Sequence, residues 1–414
     1  MKISIVNIGD ELLIGQVVNT NAAWLGRFLN ENGYTTNESV SVGDNADEIK
    51  HTLSRLYLSS DLILLTGGLG PTKDDITVKT LADFFQTSLI QNEELLSYLQ
   101  AYYEKRQKPF DESVRKMAMV PADCTILLNT KGTAASMWFE REGKVLVSMP
   151  GVPYEMKDMM QREVMPRLRE FFPAKWVYNR TLLTCGAPET ALEHRIRDIQ
   201  DSLEPHFKIA YLPTIGRVRV RLSAQGSQEQ KVKADLLFEQ IKSRLIPYVY
   251  GEGEDELEAV LGRIFIKNGL TLSLAESCTG GFLSHLITSV PGCSVYFQGA
   301  VVAYSYEVKK SILGVNSQTL TSFGAVSEET VKEMAQKVLA RLHSHYAISI
   351  SGIAGPGGAT SDKPVGLVWI AIASKDRVKT KKLQLGTLRE INIPLSAYLA
   401  LNELRLFLAE DGYL

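Results

Sequence analysis

Three segments in the last third of the chain put reactive side chains where an α/β sheet would present them. The first is Ala275-Glu276-Ser277-Cys278-Thr279-Gly280-Gly281, between a strand-like run at 270–275 and a helical stretch reaching about 289. A strand-to-helix turn of this kind sits at the carboxyl edge of a parallel sheet, where ligands bind. Its free backbone N–H groups and helix dipole suit a phosphate or a developing oxyanion, and Gly280 and Gly281 let a ligand approach the main chain. The same string also describes a plain capped helix with Ser277 or Thr279 as N-cap. The second segment, Ser351-Gly352-Ile353-Ala354-Gly355-Pro356-Gly357-Gly358, is another glycine-rich loop behind a strand at 346–350. Such a loop is weakly specific alone, but two of them on one sheet can face each other across a crevice. The third, Tyr304-Ser305-Tyr306-Glu307-Val308-Lys309, follows a strand at 299–303.

A serine hydroxyl attacks an acyl carbon only when a base removes its proton. His285, His343 and His345 fall within or near the ends of helices rather than in strand-end loops, so a Ser-His-Asp triad is unattractive. A lysine desolvated in a pocket can serve as that base. Lys309 is the candidate, with Lys310 as its solvated neighbour. Cys278 competes for the nucleophile's role because a thiol ionises more readily than a hydroxyl; it equally suits a small packing residue.

The first third carries a similar arrangement. Gly9-Asp10-Glu11 ends the first strand, Asn19-Thr20-Asn21 opens a helix, and Thr66-Gly67-Gly68-Leu69-Gly70-Pro71-Thr72-Lys73-Asp74-Asp75 follows the apolar strand Leu62–Leu65. Gly67, Gly68 and Gly70 make a phosphate-accepting loop. Asp74 and Asp75 read either as dipole-stabilising residues of a first helical turn or, with Glu11, as oxygen ligands that share a divalent ion with a phosphorylated substrate.

Strands and helices alternate around these segments. Strands are expected at 2–7, 34–42, 62–65, 124–128 and 144–148, with helices at 19–32 and 45–58, giving a parallel sheet covered on both faces over about 1–170. Residues 171–251 read as β-α-β-β-α-β, a small split-βαβ module without a reactive cluster, expected to be a structural or dimerising spacer. Gly251–Glu256 is a linker-like junction to a C-terminal α/β domain, 252–414, closed by a helix at 394–409. With 414 residues, 45% hydrophobic and 22% charged, the chain can fill several cores. A net charge of -2 argues against nucleic acid or an anionic membrane as partner. Four cysteines without a CxxC pair, no signal-like start and no long apolar span describe a soluble cytoplasmic protein with reduced thiols.

The strings AESCTGG, YSYEVK, GAVSEET, KPVGLVW and SGIAGPGG resemble the C-terminal domain of the CinA (competence/damage-inducible) family, which includes nicotinamide mononucleotide amidohydrolases. The resemblance implies deamidation of nicotinamide mononucleotide to nicotinic acid mononucleotide and ammonia. It implies Ser277 as nucleophile, Lys309 as base, Tyr304 nearby, and Thr279, Gly280, Gly281, Ser351, Gly352, Ala354 and Gly355 around the substrate, with no cofactor. After Gly386 the family has a two-arginine pattern; this chain has Arg389 but Asn392 in the second place. GDELL-G-NTN, GGLGPTKDD and MPGVP resemble the molybdopterin-binding fold of CinA N-terminal domains, a three-layer domain tied in that architecture to metal-dependent hydrolysis of ADP-ribose to AMP and ribose 5-phosphate. Gly67, Gly68, Gly70, Thr72 and Asn21 would then meet the substrate, and Glu11, Asp74 and Asp75 a divalent metal. A homodimer is also implied. The alternatives are a deamidase whose N-terminal domain binds nucleotide or molybdopterin without catalysis, and a molybdopterin-type carrier with a regulatory C-terminal domain.

Overall fold

The computed structural model describes residues 1–70, 72, 75–172, 176–226 and 228–414. It divides into two compact units, 1–177 and 178–414, each with its own sheets and cores.

In the first unit, β1 (Ile3–Ile8), β2 (Thr36–Val42) and β3 (Leu62–Thr66) precede a short antiparallel pair, β4 (Leu89–Gln91) and β5 (Met119–Pro121). Then come β6 (Thr125–Leu127), β7 (Ser136–Arg141) and β8 (Lys144–Met149). The main sheet runs β2-β1-β3-β8-β7-β6. Alternation along its central strands builds two cores. Ile3, Ile5, Leu62, Leu64, Val145 and Val147 enter one, and Val6, Ile8, Ile63, Leu65 and Leu146 the other. Side chains of a strand point to opposite faces in turn, so continuous apolar runs mean helices on both sides. The expected three-layer domain is the one observed.

The parallel sheet holds for β2, β1, β3 and β8 only; β7 and β6 are antiparallel. Strand β7 is not among the strands expected from the sequence. It is joined to β8 by Glu142-Gly143, both at positive φ (55° and 72°), the two-residue reversal that lets adjacent antiparallel strands keep their twist. A glutamate in the first of these positions is an unusual turn signal.

The second unit begins with the middle module: β9 (Trp176–Cys185), β10 (Phe207–Thr214), β11 (Arg217–Gly226) and β12 (Val249–Glu252), in the order β10-β11-β9-β12. Helices lie between β9 and β10 and between β11 and β12, so the β-α-β-β-α-β order is the observed one. The module is built against the C-terminal helix: buried Arg405 donates to the carbonyls of Pro247 (2.6 Å) and Val249 (3.2 Å).

The C-terminal sheet comprises β13 (Leu272–Glu276), β14 (Phe297–Val302), β15 (Tyr346–Gly352), β16 (Leu367–Ser374) and β17 (Val378–Gln384), ordered β14-β13-β15-β16-β17. The first three are parallel, and β16 and β17 form the expected antiparallel hairpin. Leu272, Leu274, Ile348, Ile350, Val368 and Ile370 face a core under the C-terminal helix, while Ala275, Ala347, Ala371 and Ala373 face a second core. That helix runs Arg389–Glu410, beginning five residues before the expected start at 394. Asn392 N–H already bonds Leu388 C=O (2.8 Å), so the proline sits inside the second turn instead of opening the first. No helix among the described residues is long and apolar enough to cross a membrane.

Candidate active site

The parallel strands β13, β14 and β15 end side by side, and the three chemical segments leave from those ends. Ser277 directly follows β13 and is pinned by its own N–H to Ile350 C=O on β15 (3.0 Å). After β14 the chain turns through Ser305, whose hydroxyl accepts from Val308 N–H and caps a short helix. The next turn is π-helical, Lys309–Leu313, and buries Lys309 completely.

Lys309 Nζ lies 2.9 Å from Ser277 Oγ, 2.7 Å from Ala303 C=O and 3.2 Å from Tyr304 C=O. No carboxylate pairs with it among the described residues. Desolvation without a countercharge pushes its pKa from 10.5 down to about 8. A neutral amine has two N–H donors and one lone pair. Two carbonyls take the donors, which leaves the lone pair for the serine O–H. The geometry therefore suits proton abstraction from Ser277.

Cys278 stands next to this pair in the core, only 6% exposed. Burial pushes its thiol up to about 12, so it stays protonated at neutral pH. Cys278→Ala is expected to leave Ser277's reaction with a serine-directed acylating probe unchanged; labelling lost there and kept in a Ser277 variant would reverse the assignment.

Ser277, Cys278, Tyr304, Lys309, Ser351, Gly352, Ala354, Gly355 and Arg389 line one cavity of about 230 Å³. The N–H groups of Ala354, Gly355, Gly357 and Gly358 have no hydrogen-bond partner among the described residues, and that of Cys278 meets its own thiol; all five can turn to an anion. Ser351 Oγ donates to Ala325 C=O (2.6 Å), fixing the cavity wall at Ala325–Val326, which the sequence reading did not assign. Exposed Arg389 reaches toward Tyr304 Oη and Gly355 C=O (3.4 Å each) and leaves its charge at the rim.

Thr279, Gly280 and Gly281 fall away from this cavity, contrary to expectation. The reason is Glu276, fully buried, whose carboxylate accepts from the N–H groups of Gly281 (3.1 Å), Leu283 (3.1 Å) and Ser284 (2.8 Å). It occupies the helix N-terminus that a ligand would have used. Gly280 N–H closes a turn on Ser277 C=O (3.1 Å). The glycines serve the turn, with φ of 61° and 101°. Buried Asn392 likewise stays out of the cavity and ties the Ala354 and Gly386 carbonyls together through Nδ2 (2.9 and 2.8 Å).

The N-terminal unit holds a larger cavity, about 580 Å³, lined by Glu11, Asn21, Gly67, Gly68, Gly70 and Asp75 among others. Gly67 lies at φ 107°, and a Cβ there would meet Ile8 C=O at 2.4 Å, so only glycine fits. Asp75 precedes the helix Thr77–Phe85 instead of opening it. Its carboxylate accepts from Thr72 N–H and Oγ1 (2.9 and 2.5 Å), and Thr72 itself lines the adjoining cavity. The dipole reading of Asp75 is thereby replaced by a loop-closing one; Asp74 lies outside the described residues. Asp44, at the end of β2, joins Glu11 and Asp75 in the cavity wall and was missed, though a carboxylate after a strand end was the signal used for Glu11. Burial and then the nearby charges of Asp10, Glu11 and Asp75 raise its pKa, against a hydrogen bond from Asp10 N–H that lowers it. A divalent cation relieves such crowding. Among the described residues no three His, Cys, Asp or Glu side chains form a closed ligand set, so an ion here would take its remaining oxygens from phosphate.

Three family models match in succession: Probable molybdopterin binding domain over 4–170, Damage-inducible protein CinA KH domain over 179–251, and CinA C-terminal domain over 254–408. A CinA-like protein of Cytophaga hutchinsonii is 42% identical over 410 residues, spanning 98% of each chain. The chain belongs to the CinA family. Another CinA-like protein, of Salinibacter ruber, is 40% identical over 407 residues, spanning 98% of this chain and 99% of that one. Among solved structures, the protein CinA with unknown function from Thermoplasma acidophilum is 34% identical, covering 40% of this chain and 96% of its own with a TM-score of 0.37. In this CinA chain the serine–lysine cavity lies within the matched C-terminal domain, and the glycine-loop cavity within the matched molybdopterin-binding domain.

Proposed function

We propose that the C-terminal domain is a serine–lysine amidohydrolase that converts nicotinamide mononucleotide to nicotinic acid mononucleotide and ammonia. The observation that carries this reading is the 2.9 Å contact between Ser277 Oγ and a fully buried lysine amine whose other neighbours are two carbonyls. Lys309 takes the hydroxyl proton as Ser277 Oγ bonds to the carboxamide carbon. The N–H groups of Cys278 and of the Ala354–Gly358 loop offer hydrogen bonds to the resulting oxyanion and to the substrate phosphate. Lys309 then returns the proton to the departing nitrogen, releasing ammonia and leaving an acyl-serine. Water, deprotonated by the same amine, attacks the ester, and the proton passes back to Ser277 as the acid leaves. Arg389 at the rim favours a substrate carrying phosphate. Incubating the chain with nicotinamide mononucleotide should yield ammonia and nicotinic acid mononucleotide in equal amounts; a substrate recovered unchanged would refute the reading.

The N-terminal cavity supports a second activity, hydrolysis of ADP-ribose to AMP and ribose 5-phosphate. Support comes from a glycine loop that only glycine can form beside a crowded group of carboxylates. Glu11 and Asp75 would share a divalent ion with the diphosphate, whose oxygens would supply the rest of its ligands, and that ion would neutralise charge on the phosphates. A chelator should therefore suppress ADP-ribose cleavage and spare deamidation, followed as AMP and ammonia in one reaction mixture. Equal loss of both would break this division of labour.

A further inference from the structure

Buried polar atoms are almost always hydrogen-bonded, so those left over mark where a ligand's own polar groups belong. In the N-terminal cavity Asn7 Nδ2 and Asn21 Oδ1 are buried without a partner among the described residues, and both residues line it. A buried carboxylate joins them. Glu155 lies in the same wall and is 8% exposed. One carboxylate oxygen, Oε2, accepts from Asn129 Nδ2 at 2.6 Å. Glu155 forms no ion pair among the described residues, and beside Asn129 its carboxylate is met by the hydroxyl of its neighbour Tyr154.

Asn129 is held in turn. Its Oδ1 accepts from Lys131 N–H and Gly132 N–H (3.0 Å each), and its Nδ2 also donates to Ala134 C=O (3.1 Å). Gly132 comes so close that a Cβ would overlap the Glu155 carboxylate, so the chain is shaped to admit this group. A carboxylate held by hydrogen bonds in a cavity wall, with no cation paired to it, is positioned as a recognition group. Glu155 follows the turn Gly151–Pro153, and Gly151 packs on Gly67, the first glycine of the phosphate-accepting loop. The carboxylate therefore lines the same cavity as that loop, on the Asn129–Gly132 side, and as an acceptor only it selects hydroxyl donors.

We propose that Glu155 is a specificity-determining residue that accepts hydrogen bonds from the vicinal hydroxyls of a ribose whose 5′-diphosphate lies on the Gly67–Gly70 loop. Asn7 Nδ2 supplies a donor to an oxygen of the same ligand, and Asn129 is a positioning residue. This inference rests on the reading of the N-terminal cavity as a nucleotide diphosphate site.

The test is calorimetric titration of the intact chain with ADP and with 2′,3′-dideoxy-ADP, for the native sequence and for Glu155→Gln, which keeps an acceptor for Asn129. The native chain should bind the dideoxy compound about tenfold or more weaker than ADP. Glu155→Gln should bind ADP about tenfold more weakly and treat the two ligands nearly alike. Should Glu155→Gln melt early, Glu155→Asp, which keeps the charge but withdraws it, should show the same loss of discrimination. A variant that still prefers ADP by the native ratio overturns the role of Glu155 while leaving the cavity a nucleotide site. If the native chain binds neither compound, the diphosphate reading falls, and this inference with it.

Discussion

Ser277→Ala is expected to lower ammonia release from nicotinamide mononucleotide by about a thousandfold or more while the fold persists. Removing the nucleophile of a covalent mechanism costs several orders of magnitude, because the oxyanion donors and binding groups left behind supply only the residual rate. The change deletes one oxygen at a 7% exposed position whose backbone N–H remains bonded to Ile350 C=O, so β13 and β15 stay in register. Circular dichroism should overlay with the native chain, and nicotinamide mononucleotide should still bind. The adjacent thiol cannot substitute, because burial holds it protonated. Near-normal turnover by the Ser277→Ala chain would remove the covalent mechanism altogether.

The second large effect concerns Lys309 and has two signatures. Lys309→Met should cut turnover by about a hundredfold or more with little change in KM, since the amine touches the serine and not the bound phosphate. Lys309→Arg should fail as well, because a guanidinium does not release its proton in this range. In the native chain, turnover should rise with pH, pass half its maximum near pH 8, where burial sets the amine's titration, and level off above about pH 9. At pH 7 about one-tenth of the amine is neutral. A flat profile from pH 6 to 9, or a variant whose only defect is KM, would remove the base from the mechanism.

The same shift links activity to stability. A folded-state pKa of about 8 against an ordinary 10.5 means that the unfolded chain binds more protons between these values. Stability contributed by this group therefore rises across pH 8 to 10.5. Below pH 8 its burial costs about 3 kcal/mol on an order-of-magnitude conversion. The lysine is kept at some expense to the fold because a desolvated amine is what the serine needs.

The sequence alone determined the three-layer N-terminal domain, the β-α-β-β-α-β module, and the three segments that end on one sheet edge. Short-range pattern suffices for these, because apolar alternation sets strand faces and glycine-rich strings after apolar runs can only be strand-end loops. The placement of Ser277 and Lys309 at neighbouring strand ends was legible for the same reason, since each lies a few residues beyond a strand; the local pattern left Cys278 in competition, and the roles of the pair came from the resemblance to the CinA C-terminal domain. Contacts between distant residues were not legible. Nothing local tells that Glu276 turns inward and takes the helix donors, so Gly280 and Gly281 were read as ligand groups when they shape a turn. Nor does a local pattern tell that Asp75 closes on Thr72 ahead of its helix, that Asp44 comes up beside Glu11 and Asp75, or that Asn129 and Glu155 meet across 26 residues. A polar side chain's role depends on which partner reaches it first, and only the folded chain decides that competition.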